Sequence, residues 1–103
     1  MNIIVIGTGM YVAGRGTEGY GTILPAIAEW KRKDQSEGKL VMVGTNGVHS
    51  QQALEKVNLL QKMTGVPMNI EVYPKSDEND PKAYIEVLHS IQQPACAIVA
   101  VPD

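Results

Sequence analysis

The chain has no phenylalanine, one tryptophan and one cysteine, and none of its apolar runs approaches the roughly 18 residues that a membrane-spanning helix needs. The lone Cys96 excludes an internal disulfide framework, a pattern that agrees with a reducing compartment. The start, Met1-Asn2, carries no basic leader. The apolar run Ile3-Ile4-Val5-Ile6 that follows ends at once in glycine, so a signal peptide is not expected. Neither sign of charge dominates, with 9 Lys and Arg against 11 Asp and Glu and a net charge of -2. Nucleic acid and anionic membranes therefore have no electrostatic claim on the chain. The two histidines, His49 and His89, have no second histidine or carboxylate at ligand spacing, so a metal site is not expected either. These absences lead to the expectation of a cytoplasmic protein with small-molecule business.

What is present is an alternation. At 103 residues, 44% of them hydrophobic and 19% charged, the chain is enough for one domain with a true core and not for two. Four short β-like runs stand out: Ile3-Ile4-Val5-Ile6, Leu40-Val41-Met42-Val43, residues 68–73 and residues 95–101. The first, second and fourth are continuously apolar, as strands are when helices cover both faces of a parallel sheet. The third alternates, which suggests an edge strand. Between the runs lie three helical patterns. Ile23, Leu24, Ile27 and Trp30 share one face, with residues 31–34 as a solvated end. Ala53, Leu54, Val57, Leu60 and Met63 form a second stripe, with Ser50 as a possible cap and Gly65 as a stop. Asp80-Pro81 opens a third helix whose stripe is Tyr84, Val87, Leu88 and Ile91. The order β-α-β-α-β-α-β predicts a Rossmann-like, doubly wound parallel α/β sheet in three layers, with strand order 3-2-1-4.

Chemistry concentrates after the first strand. In Gly7-Thr8-Gly9 the first glycine permits a tight turn, and the second lets backbone amides approach a pyrophosphate at a helix start. The third position of a G-x-G-x-x-G fingerprint is Val12, and the next helical pattern begins only near Thr22. The turn is thus about ten residues longer than a compact Rossmann turn, against the two to six usual for such loops. Either a short helical turn starts at Met10 and breaks, or residues 10–21 form a glycine-rich loop over the cofactor, from which Arg15 could reach a phosphate or substrate anion. A plain surface loop is the alternative. Gly9 and Gly14 also have the spacing of an NTPase phosphate loop, but Arg15 and Gly16 stand where that loop needs lysine and a magnesium-binding hydroxyl.

The end of the second strand, Gly44-Thr45-Asn46-Gly47, lacks the carboxylate that would bond an NAD ribose. Thr45 and Asn46 can donate hydrogen bonds there and do not repel a 2′-phosphate, yet no arginine follows to clamp one, so NAD and NADP both stay open. Asn46-Gly47 could instead be a simple turn with positive φ. His49 and His89 read as surface or half-buried residues, and Cys96, in an apolar strand, as a small core residue.

The opening Ile3-Ile4-Val5-Ile6-Gly7-Thr8-Gly9 and the closing Ile98-Val99-Ala100-Val101-Pro102-Asp103 resemble the N-terminal domain of the glucose–fructose oxidoreductase/inositol dehydrogenase/rhizopine-catabolism (Gfo/Idh/MocA) family. The whole chain follows that family's order of elements, while only these two ends match at the level of motifs. The resemblance implies that Gly7, Thr8, Gly9, Met10 and Tyr11 lie by the pyrophosphate, that Thr45 and Asn46 face the adenosine ribose, and that Val101 and Pro102 border the cofactor. It also implies a catalytic lysine, in a Glu-Lys-Pro stretch, and a downstream histidine and aspartate, all beyond residue 103. Residues 1–103 would then be a dinucleotide-binding fragment without catalytic residues. The long stretch from Tyr11 to Gly21 departs from the family's pattern.

The function expected on this basis is NAD(P) binding for hydride transfer to or from a sugar, cyclitol or related compound, in a homo-oligomeric enzyme. A bare fourth strand is expected to favour self-association. The rival reading is a non-enzymatic Rossmann module, a redox sensor or a binder of CoA or S-adenosylmethionine. A methyltransferase would want an acidic residue at the end of the second strand, and a redox sensor usually accompanies a basic DNA-binding domain.

Overall fold

The structure, a computed structural model, describes residues 1–14, 16–34, 38–75, 79–93 and 95–100. Arg15, Val101 and Pro102, each expected near a ligand, lie outside the described residues, as do the side chains of Met10 and Tyr11. In chain order the elements are β1 (Asn2–Ile6), α1 (Met10–Ala13), α2 (Ile23–Asp34), β2 (Leu40–Val43), α3 (Gly47–Thr64), β3 (Ile70–Tyr73), α4 (Ala83–Ser90) and β4 (Ala95–Val99). The four strands form one all-parallel sheet in the order β3-β2-β1-β4. This is the Rossmann-like arrangement that alternating strands and helices demand, with β1 at the centre.

The two faces of the sheet are covered unequally. Strand residues alternate between faces, so Ile3 and Val5 of β1, Leu40 and Met42 of β2 and Val72 of β3 share one face. There they pack with Val12 of α1, Leu24, Ile27 and Ala28 of α2, and Ala53, Val57 and Leu60 of α3. The opposite face gathers Ile4, Val41 and Val43 under α4 alone, which contributes Ala83 and Val87. Burial of both faces explains why β1 and β2 read as continuous apolar runs. β3 is the edge strand its alternation predicts. β4, also continuous in sequence, forms the other edge and is only partly covered: Val99 is 65% exposed and Cys96 is half-buried against the larger core.

Helix ends correct several expectations. The α3 N-cap is Asn46, whose Oδ1 accepts from the Val48 and His49 amides. Ser50 is not the cap: it lies a turn inside, fully buried, donating its hydroxyl to the Asn46 and Tyr73 carbonyls. Asn46 itself is extended, at φ -123°, so the positive-φ turn does not form. Gly65 stops α3 in the left-handed region as expected, at φ 71°, but Met63 of the anticipated stripe is 71% exposed. α4 starts at Ala83, later than Asp80-Pro81 suggests, because those residues form a separate turn in which Asp80 Oδ1 accepts from the Lys82 amide. The buried stripe of α4 is Ala83 and Val87, with Ile91 partly covered, while Tyr84 and Leu88 face outward. Lys31 is not solvated: only 4% exposed, it donates Nζ to the Gly38 carbonyl at 2.7 Å, and burial pushes its ammonium below the ordinary lysine pKa.

Candidate functional site

The three residues after β1 carry the site. Gly7 continues the sheet by donating its amide to the Val43 carbonyl at 2.8 Å, while the Ala100 amide bonds the Ile6 carbonyl at 2.8 Å. Position 7 must be glycine on two counts. Its φ of +132° is closed to other residues, and a Cβ there would collide with the Ala100 carbonyl oxygen. Gly9 is different, since a Cβ would meet nothing within 4 Å. The protein itself does not require Gly9; an approaching ligand backbone would. α1 starts directly after it, with the Ala13 amide bonded to the Gly9 carbonyl, and ends after four residues. The short helical turn starting at Met10 and breaking is thus what forms. Its first amides, left without partners inside any helix, point back toward the glycine turn.

Around this turn, at the carboxyl ends of β1 and β2, lies a crevice of about 300 Å³. Ile6, Gly7, Thr8 and Gly9 line it from β1, Val43, Gly44 and Thr45 from β2, His49 from α3, Pro81 and Tyr84 from the start of α4, and Ala100 from the end of β4. A crevice outside the carboxyl ends of parallel strands, where the chain order reverses between β1 and β4, is where open α/β sheets bind ligands. Thr8 is only 8% exposed, and among the described residues its hydroxyl has no hydrogen-bond partner. A buried hydroxyl that no described residue satisfies is free, as far as those residues go, to bond a water or a ligand. A larger groove of about 420 Å³ runs along β4 and α2, but Thr22 and Cys96 apart its lining is apolar or aromatic, with Ile23, Ile27 and Trp30 prominent, so it suits a polar ligand less well.

Of the residues expected near a nucleotide, the structure brings Gly7, Thr8, Gly9 and Thr45 together in one crevice. Asn46 is not among the residues that line it, and its side-chain oxygen caps α3. The glycine-rich stretch takes the other alternative to a cover. Lys56 Nζ of α3 donates to the carbonyls of Thr17 and Gly19, both at 2.7 Å. The same ammonium stands 5.5 Å from the centre of the Tyr20 ring, whose hydroxyl reaches Met63 Sδ. This strap is therefore fastened to the flank of α3, and none of its described residues lines the crevice. Besides the strand-end residues Ile6, Val43 and Ala100, the lining residues that sequence reasoning missed are Gly44, His49, Pro81 and Tyr84. The signal for His49 was its place in the first helical turn after β2. Pro81 and Tyr84 carried none, because they arrive through the pairing of the α4 approach with β2, where the Asp80 amide bonds the Thr45 carbonyl at 2.7 Å.

Among the described residues no group of three or more His, Cys, Asp or Glu side chains could hold a metal ion, and no helix is long and apolar enough to cross a membrane. Compared with protein-family models, with curated proteins and with solved structures, the chain matches none.

Proposed function

We propose that this chain is the nucleotide-binding part of an NAD(P)-dependent oxidoreductase of the Gfo/Idh/MocA kind, acting on a hydroxyl or keto carbon of a sugar, cyclitol or related compound. One observation supports the reading above others. The Gly7-Thr8-Gly9 turn sits at the carboxyl end of the central strand β1, opens a crevice, and buries a Thr8 hydroxyl that no described residue satisfies. In this reading the amides of the turn and of the start of α1 hold the pyrophosphate, Gly9 admits it closely, and Thr45 with Asn46 contacts the adenosine ribose. The nicotinamide, when bound, supplies or accepts the hydride. This chain binds and aims the cofactor and keeps one flank dry, and proton transfer belongs to residues outside it. The enzyme would be a cytoplasmic homo-oligomer with a small-molecule substrate.

Titration of the chain with NADH, NADPH, CoA and S-adenosylmethionine tests this. Saturable binding of a nicotinamide cofactor without turnover is expected. Binding of CoA or S-adenosylmethionine alone would replace the reading with that of a non-enzymatic or group-transfer module.

A further inference from the structure

The last residue leaving β2, Gly44, decides more than a turn. A Cβ placed there would stand 2.8 Å from Thr8 Oγ1, 3.1 Å from Thr8 Cγ2 and 3.4 Å from Ser50 Oγ. The end of β2, Gly44-Thr45-Asn46-Gly47, is where a nucleotide site that prefers NAD carries the carboxylate for the ribose 2′-hydroxyl. None stands there in this chain, and at Gly44 a side chain of any kind would have to displace Thr8. Among the described residues no carboxylate lines any other part of the crevice. Asp80, whose amide bonds the Thr45 carbonyl, is engaged through Oδ1 with the Lys82 amide in its own turn.

What the same corner offers is donors. The Thr8 hydroxyl is more than nine-tenths buried and unpartnered among the described residues. Thr45 and the His49 side chain line the crevice beside it. Asn46 Oδ1 is committed to the Val48 and His49 amides, which leaves Nδ2 as its remaining donor. Behind them begins α3, 18 residues long with no acidic residue in its first turn, so no carboxylate of that turn offsets the positive end of its dipole. A corner lined by hydroxyl and imidazole groups, beside a helix N-terminus and with no acid among its described lining residues, favours a phosphate over a plain ribose hydroxyl.

We infer that the crevice selects adenosine carrying a 2′-phosphate, so that NADP(H) is preferred over NAD(H). The inference rests on the proposed function and sharpens it. Thr8 stands against Gly44 and, with Thr45 and His49, presents donors to the additional phosphate.

The test is fluorescence titration of the full chain with NADPH and NADH, with 2′,5′-ADP and 5′-ADP as competitors. NADPH is expected to bind at least about tenfold more tightly, as one or two charge-assisted hydrogen bonds provide. His49→Gln should reduce that ratio about threefold or more. The double substitution Thr8→Ala with Gly44→Asp, in which the first change removes the colliding atoms, should reverse the preference toward NADH. Circular dichroism checks that each variant is folded, and the half-exposed His49 carries the test if the double variant is not. Equal affinities, tighter NADH binding, or a ratio indifferent to His49→Gln would overturn the inference while leaving the proposed function standing. Failure of both dinucleotides to bind would remove the proposed function, and this inference with it.

Discussion

The two faces of the sheet were built to different standards of completion. On one, α1, α2 and α3 close over β1, β2 and β3, and Leu24, Leu40, Met42 and Val57 are sealed at 1% exposure or less. On the other, α4 alone covers Ile4, Val41 and Val43, and Ile85, Leu88 and Val99 stay 38%, 41% and 65% exposed. The closed face holds the fold. The open face, with the crevice at its upper rim, is where the molecule has surface left to offer.

Substitutions can break or sharpen that contrast. The largest loss is expected from Leu40→Ala on the closed face, about 3 kcal/mol of unfolding free energy in urea titrations, because the sealed site cannot collapse around the void. Next comes Gly7→Ala, at about 2 kcal/mol or more, since it meets both a forbidden φ and the Ala100 carbonyl. Its companion Gly9→Ala should fold normally and instead weaken dinucleotide binding. If the two glycines behave alike, the division of labour drawn between them is wrong. On the open face Val87→Ala should cost only about 1 kcal/mol, its neighbours being free to relax. A loss equal to that of Leu40→Ala would erase the contrast. Removing the α3 cap with Asn46→Ala should cost about 1 kcal/mol and is read by thermal unfolding.

The smallest effect concerns Lys31. Its native pKa lies below the ordinary 10.5 because of burial, so between the two values the unfolded chain holds a proton that the native chain releases. Stability should therefore rise with pH across that alkaline window. In Lys31→Met the rise should vanish, as denaturant midpoints measured through the window will show. The same variant forfeits the bond to Gly38, an effect independent of pH.

Much of this was written in the order of residues. Apolar β-branched runs punctuated by glycine or proline gave four parallel strands and their order, since helical crossovers leave few alternatives. Gly7 and Gly9 were legible as a turn that opens a crevice because they follow the central strand directly. What escaped was whatever depends on tertiary approach. Tyr84 and Leu88 looked like core by periodicity, but α4 packs through its small Ala83 and through Val87, and the larger side chains fall outside the contact. Lys31 looked solvated by type, yet its methylene stem lies along the core and its tip finds a carbonyl across the α2–β2 connection. Asn46 was read with Gly47 as a positive-φ turn, when its geometry is that of a helix cap. His49 was passed over because a lone histidine announces nothing in a sequence until a fold puts it on a rim.

The strap after α1 has one more implication. The chain leaves at Gly14 and comes back so close that a Cβ on Gly14 would strike the Gly19 carbonyl, and Thr17 stitches the excursion to Gly14 through both amide and hydroxyl. An excursion whose two ends already touch is a self-contained Ω-type loop, and its outer part can be shortened, replaced or extended at little entropic expense. Lys56, not the crevice at the carboxyl ends of the strands, bears the consequences of such surgery. Here a tag, a fluorophore or a foreign peptide could be grafted onto the molecule while its ligand chemistry carries on undisturbed.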